Sequence, residues 1–425
     1  MKISIPSVLV SVCIVAAVTC GFVPVLPAET TQKIVYIDKL EEGGYSLVVH
    51  GKPFLAKGVI YRPTPVGKGH DYDFFSDPLK PWLVDGKLMK EMGLNCVRIY
   101  SAGKDFSKAK EFISDMYDNF GIYTVVSDWL GLWSYPEANY ADKDFQEKTK
   151  KELLAVIEGL KDEKGLLMWI LGNENNLTCS GQIRFWTSPE VEKIKKHGDR
   201  VFKKAEIYYS FVNELALEVK KIDPGHPVAL GNGEVHFLDV AAEVCENVDV
   251  LAIITYRGKT FNNLFSDVSK IFDRPVFLSE FGCDSYDAYK LKEDQEIQAQ
   301  YLLSQWKNLY DNTVMSGNAG GNAIGGVVFE WNDEWWKYNE GYEEEWSIHN
   351  TQAGWSQGTY SYDIKAENNL NMNEEWFGLV SIKETLKDGI NERVPKKSYY
   401  ALKNLFKTIK NNVGTGEPSG PVISK

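Results

Sequence analysis

Histidine, cysteine and positive charge are what this sequence of 425 residues is short of. Lys and Arg number 47 against 59 Asp and Glu, a net charge of −12, which argues against broad binding of nucleic acid or an anionic membrane, both of which need a basic face. Six histidines occur and none pair at metal-ligand spacing, which argues against a metal-dependent hydrolase and leaves no expected metal site. Two of the six cysteines, Cys13 and Cys20, lie in an apolar N-terminal stretch. The other four, Cys96, Cys179, Cys245 and Cys283, fit no zinc pattern, and the choice between disulfides and buried free thiols stays open. With 44% hydrophobic and 25% charged residues, disorder, collagen-like repetition and a multi-span membrane protein are excluded.

Aromatic residues are plentiful: 12 Trp, 22 Tyr and 20 Phe, many of them in polar, loop-like stretches of the kind that line ligand clefts. The chain opens Met1-Lys2, then runs uncharged over residues 3–28 before Glu29. One basic residue, an apolar run and a small-residue exit predict a signal peptide cleaved after Ala28, or an N-terminal anchor, since the run is long enough to span a bilayer. Ala17-Val18-Thr19-Cys20 is a poor lipoprotein box. The expected location is secreted, or at the cell surface or periplasm, with any membrane attachment through this segment alone. Asn176-Leu177-Thr178 is a glycosylation sequon in a eukaryotic secretory host.

From there on, short β-rich runs alternate with longer amphipathic ones. Strands are expected over residues 54–61, 95–100, 122–127, 166–172, 227–231, 248–255, 275–279 and 324–330. Helices are expected over 81–92, 107–119, 143–160, 199–221, 238–245, 264–272, 293–312 and 396–409. Strict alternation predicts an α/β fold, a (β/α)₈ or TIM barrel. Residues 33–52, with turn signals at Gly43-Gly44 and Gly51-Lys52-Pro53, read as an N-terminal β-hairpin under the barrel. One domain is expected over residues 29–411, followed by a Gly/Pro/Ser-rich flexible tail over 412–425. Three connections exceed what a barrel needs: 61–80, 175–198, and above all 331–395, a long insertion after strand eight. All leave C-terminal strand ends, where barrel active sites lie.

Two of those strand ends carry the chemistry. Strand four ends Trp169-Ile170-Leu171-Gly172-Asn173-Glu174 and strand seven ends Leu278-Ser279-Glu280-Phe281-Gly282. Each delivers one glutamate to the same barrel face, where like charges repel and water is partly excluded. A retaining glycosidase needs such a pair, roughly 5–5.5 Å apart, one carboxyl as acid/base and one as nucleophile. Proximity raises one pKa, so that one group stays protonated beside an ionised neighbour. No cofactor is needed.

These two motifs resemble those of the clan A retaining glycoside hydrolases, (β/α)₈ enzymes with an acid/base after an Asn on strand four and a nucleophile on strand seven. The barrel is most similar to the catalytic domain of family 2 β-glycosidases and to β-glucanosyltransferases. The resemblance implies that Glu174 is the acid/base and Glu280 the nucleophile. It implies that Asn173 binds the sugar 2-hydroxyl, that Arg98 holds Glu280 ionised through a charge-assisted hydrogen bond, and that Tyr256 donates to Glu280 from the other side. Trp331 would be the stacking floor of the reacting-sugar site. Trp129, after strand three, and Trp335, in the eighth loop, are further substrate-binding candidates; Trp133, Trp336 and Trp346 are softer ones. Tyr61, Arg62, His236, Glu330, Asp333 and Glu334 are undecided, and the acidic run Tyr342-Glu343-Glu344-Glu345 reads as a solvated loop or a weak calcium site. Only about 25 residues separate Ala28 from Phe54, so the β-sandwich domains that precede a family 2 barrel have no counterpart there, and an open cleft is expected.

The expected activity is retaining hydrolysis of a β-linked oligosaccharide or polysaccharide, β-glucan in preference, by double displacement. The alternative is transglycosylation through the same glycosyl-enzyme intermediate, and a second alternative is a catalytically inactive glycan-binding surface protein.

Overall fold

Eight runs rich in Val, Ile and Leu become the parallel strands of a closed barrel: β1 Ala56–Ile60, β2 Cys96–Ile99, β3 Tyr123–Asp128, β4 Leu166–Leu171, β5 Val228–Gly233, β6 Val250–Ile254, β7 Val276–Phe281 and β8 Ala323–Val328. The computed structural model describes residues 1, 34–103, 105–337, 339–351, 360 and 372–409. Every strand is buried almost throughout, because one face fills the barrel and the other meets the helices. The alternation is visible along β4. Met168 and Ile170 join the interior cluster, whereas Trp169 and Leu171 join the layer under the helices.

The helices follow in turn: α1 Pro81–Met92, α2 Phe106–Phe120, α3 Lys143–Leu160, α4 His197–Ile222, α5 Leu238–Val244, α6 Leu264–Ile271, α7 Gln295–Asp311 and α8 Lys397–Thr408. Their starts are set by local chemistry. Asp105, Asp142 and Asp294 accept from the free backbone N–H groups of α2, α3 and α7. α1 has Pro at its first turn and ends at Gly93, whose φ of 92° only glycine adopts readily. The (β/α)₈ barrel expected from the alternation is the fold.

Three differences separate the structure from the pattern. The N-terminal element is a three-stranded antiparallel sheet, Val35–Lys39, Tyr45–Val49 and Lys52–Pro53, rather than a two-stranded hairpin. Its Val35, Tyr45, Leu47 and Val49 close the interior cluster from the end where the strands begin, and Tyr45 donates to Asp273, just ahead of β7. The long insertion after β8 contains an antiparallel hairpin, Val380–Lys387 with Ile390–Pro395. Buried ion pairs fasten this region: Lys396 Nζ to Asp333 at 2.6 Å and Arg393 to Asp85 at 2.9 Å. A smaller hairpin, Tyr286–Asp287 with Lys292–Glu293, follows β7.

Cys96, Cys179, Cys245 and Cys283 are buried free thiols. The signal or anchor beyond Met1, with Cys13 and Cys20, and the tail over 412–425 lie outside the described residues. Among the described residues no helix is long and apolar enough to cross a membrane.

Candidate active site

Glu174 sits in a tight turn leaving β4. Gly172 has φ 86°, and a Cβ there would meet the Tyr208 hydroxyl at 2.6 Å. Gly231 of β5 lies so close that its own Cβ would fall 2.1 Å from the Gly172 carbonyl oxygen. The turn is held by two hydrogen bonds, Gly172 N to Asp128 O at 2.9 Å and Asn173 N to Asn175 Oδ1 at 2.6 Å. Glu174 itself adopts φ 59°, a left-handed backbone that costs an ordinary residue roughly 1 kcal/mol or more. From the described residues its carboxylate accepts no hydrogen bond.

Glu280 arrives at the same mouth by a different device. Phe277 faces the interior and Leu278 the helices, so strict alternation would turn Glu280 outward. The pairing of β7 with β6 slips between Leu278 and Glu280, and an irregularity of this kind re-aims the side chain. The Glu280 carboxylate then accepts from both sides, from Tyr100 Oη at 2.6 Å on Oε2 and from Tyr256 Oη at 2.7 Å on Oε1.

Arg98, fully buried at the end of β2, ties the two strand ends together. It donates to Asn173 Oδ1 at 2.6 Å, to the Ser279 carbonyl at 2.6 Å and to Ser127 Oγ at 2.8 Å. Its nearest approach to Glu280 is 3.7 Å, too long for a hydrogen bond. The expected charge-assisted hydrogen bond is therefore corrected to a Coulombic contact, because the guanidinium is held by its bonds to Asn173, Ser279 and Ser127. The short bonds to Glu280 come from the two tyrosines instead. Tyr100 follows Arg98 by two residues and so shares its face at the end of β2, a spacing that marks it for the same site.

The two carboxyls differ in environment. The Glu174 pKa is pushed up to about 8, first by burial and next by the charge of Glu280, with Glu374 and Glu234 adding and Arg98 opposing. Burial and Glu280 also hold the phenols of Tyr100 and Tyr256 well above their ordinary pKa, which keeps them as donors.

The aromatic candidates separate. Trp129 is half-buried and stacks on Tyr100 at 4.9 Å between centroids, which places it beside the Glu280 cluster. Trp335, also half-buried, stacks on His349 at 4.8 Å in the eighth loop. Trp331 is corrected: it is fully buried, in the layer between barrel and helices, edge-on to Tyr399 of α8, and has no face open to a sugar. Trp336 and Trp346 are likewise buried, and Tyr61 is a core residue that donates to Asp85.

Glu330 and Glu334 are buried at the end of β8, with Arg62, Lys337 and Glu374 around them. Burial raises both carboxyls, Glu330 well above its ordinary range with the charge of Glu334 adding, and Glu334 with that of Glu374 adding while Lys337 and Arg62 oppose. Among the described residues Oε1 of each has no hydrogen-bond partner, which marks a polar wall without its full complement of partners there. Glu330 and Glu374 act electrostatically on Tyr100 and Glu174 respectively. Among the described residues no three His, Cys, Asp or Glu side chains converge as metal ligands would, and Glu343–Glu345 is an exposed turn of 3₁₀ helix. The sequon asparagine, Asn176, is fully buried and bonded on both sides to Gly233, donating to its carbonyl at 3.0 Å and accepting from its N–H at 2.8 Å, so it presents no acceptor for a glycan.

No family model matches the chain. Among curated proteins it is similar to the 1,3-beta-glucanosyltransferase gel2 of Aspergillus fumigatus, 24% identical over 297 residues that cover 67% of this chain and 55% of that protein. It is similar also to the 1,3-beta-glucanosyltransferase GAS4 of Saccharomyces cerevisiae, 23% identical over 326 residues, covering 71% and 60%. The chain thus spans about half the length of the curated relatives it matches. Among solved structures, the agarase AgWH50C superposes with a TM-score of 0.56 at 15% identity, over 89% of this chain and 63% of that one. A beta-D-glucuronidase of Dictyoglomus thermophilum gives 0.53 at 15%, over 89% and 54%. At such identities the structural likeness speaks for the barrel alone. The resemblance read from the glutamate motifs therefore meets β-glucanosyltransferases in sequence and glycosidase barrels in fold.

Proposed function

We propose that this chain is a retaining enzyme of β-linked glycans, with β-1,3-glucan as donor and a second glucan chain as acceptor. Glu280, as the carboxylate, attacks the anomeric carbon, while Glu174, as the carboxylic acid, gives its proton to the departing glycosidic oxygen. The bond from sugar carbon to that oxygen breaks, and an ester to Glu280 forms. Esterification removes the Glu280 charge, one of the causes that hold the Glu174 pKa up, so Glu174 becomes the stronger acid and, once ionised, accepts the proton of the incoming hydroxyl. That hydroxyl's oxygen takes the sugar and frees Glu280. Asn173, oriented by Arg98, meets the sugar 2-hydroxyl. Tyr100 and Tyr256 hold the nucleophile and release it as its charge is lost.

The observation that carries this reading is the unequal pair: a glutamate bonded by two phenols beside another whose pKa is held near 8. Transfer rather than hydrolysis is supported by the sequence likeness to 1,3-β-glucanosyltransferases, which covers 60–71% of this chain. Water in place of the acceptor would make the same residues a hydrolase. Export of the enzyme fits the uncharged segment 3–28, and residues 29–411 would be the catalytic domain.

Incubation with β-1,3-gluco-oligosaccharides and sizing of the products tests the proposal. Products longer than the substrate, lost in Glu280→Gln, are expected. Shorter products alone would make the chain a hydrolase. A folded chain that turns over no glycan would favour the binding-only alternative.

A further inference from the structure

The aromatic rings near Glu280 do not stop at the cleft. Tyr100, which donates to Glu280, stacks on Trp129 at 4.9 Å with planes 17° apart. Trp133 stands edge-on to Trp129 at 6.1 Å, and the Arg184 guanidinium lies over Trp133 at 5.0 Å. Trp133 is 56% exposed. A Trp left this open forgoes much of its burial free energy, and an exposed ring that continues a line of aromatic contacts from Glu280 is the kind of surface a ligand covers.

The loop under these rings is tightly fixed. The Trp129 carbonyl accepts from Asn175 Nδ2 at 2.8 Å, beside Glu174, and from Leu132 N at 3.1 Å. Leu130, at φ 47°, donates its N–H to Asp128 at 2.7 Å, and Ser134 N donates to Gly131 O at 2.9 Å. Trp133 is thus held out from a rigid turn rather than waving on a mobile one. Arg184 is itself met by Glu137 at 3.4 Å, so the patch offers a flat ring and hydrogen-bond donors with its cationic charge already answered. That chemistry suits the apolar face and hydroxyl rim of a neutral pyranose, not an anionic sugar.

We infer that Trp133, with Arg184 behind it and Trp129 linking it to the cleft, is an outer stacking subsite for a glucan sugar several units from the bond that reacts. This rests on the reading of β-linked glucan as the substrate. The subsite would make affinity depend on chain length.

The test measures binding of β-1,3-gluco-oligosaccharides from two to eight sugars by calorimetry, in the Glu280→Gln chain so that they persist, with and without Trp133→Ala. The ratio of long-chain to short-chain affinity should fall about tenfold with Trp133→Ala, the equivalent of roughly 1.4 kcal/mol, and Trp133→Phe should recover most of it. A ratio unchanged by Trp133→Ala, equal weakening at every length, or no binding at any length would overturn the subsite. Turnover of the same oligosaccharides by the wild-type chain reports separately on the enzymatic reading. Length-dependent binding without turnover would sink that reading and keep the subsite. Turnover with an unaltered ratio would sink the subsite alone.

Discussion

Glu174 and Glu280 are the same residue at the ends of two strands of one barrel, yet their surroundings are opposites. Glu280 is bonded by Tyr100 and Tyr256 and lies 3.7 Å from Arg98. Glu174 accepts nothing from the described residues and shares its space with the negative charges of Glu280, Glu374 and Glu234. Hydrogen-bond donors and a cation favour the ionised form; burial and like charge favour the protonated one. The comparison teaches that the proposed division of labour rests on neighbours, so it should move when the neighbours are changed.

The largest effect belongs to the proposed nucleophile. Glu280→Gln should lower glycosyl transfer at least about a thousandfold, read as initial rate, while the far-ultraviolet circular dichroism stays that of the wild type. Removing one donor to Glu280 should cost less. Tyr100→Phe or Tyr256→Phe deletes a hydrogen bond to a charged group worth about 1.5–3 kcal/mol, so kcat/KM should fall about 10–100-fold; an unchanged rate would mean that the phenols are mere packing.

A smaller effect sits on the pH profile. With Glu174 required as an acid and its pKa near 8, kcat/KM should decline as pH rises through about 8. Glu374 raises Glu174 from a distance, so Glu374→Gln should move that decline to lower pH. The smallest effect is on stability. The folded-state pKa of Glu174 lies above the ordinary carboxyl value of 4.5, so the fold binds a proton there that the unfolded chain has released. Between the two values stability therefore falls as pH rises. Glu174→Gln should raise Tm by a few degrees at pH 8 and leave it nearly unchanged at pH 4, measured by calorimetry.

Much of this was legible in the sequence because barrels repeat. Buried parallel strands read as short apolar runs and the outer helices as amphipathic ones, and α1 and α3 begin and end where their patterns do, at Pro81–Met92 and Lys143–Leu160. Glu174 and Glu280 stood out because a carboxylate directly after an apolar strand has no packing reason to be there. What escaped depended on register and on distant partners. The slip that turns Glu280 inward is a property of pairing with β6, invisible in β7 alone. Trp331 looked like a cleft residue by position, and only its packing on Tyr399, far along the chain, shows otherwise. Arg98 looked like the hydrogen-bond partner of Glu280, but its recorded bonds go to Asn173, Ser127 and Ser279. The hairpin over 380–395 did carry a signal, Asp388-Gly389 with φ of 54° and 83°, the residue pair that tight hairpin turns favour. It was obscured because the flanking strands are largely exposed and charged.

The most direct test of the unequal pair is to trap the intermediate. A 2-deoxy-2-fluoro-β-glucosyl fluoride, extended by a β-1,3-linked glucose, would be incubated with the chain and the labelled peptide identified by mass spectrometry. The account predicts one added fluoro-disaccharide on Glu280, formed more slowly once Tyr256 is replaced by Phe. A label on Glu174, or turnover of the natural glucan with no covalent species on either residue, would contradict it.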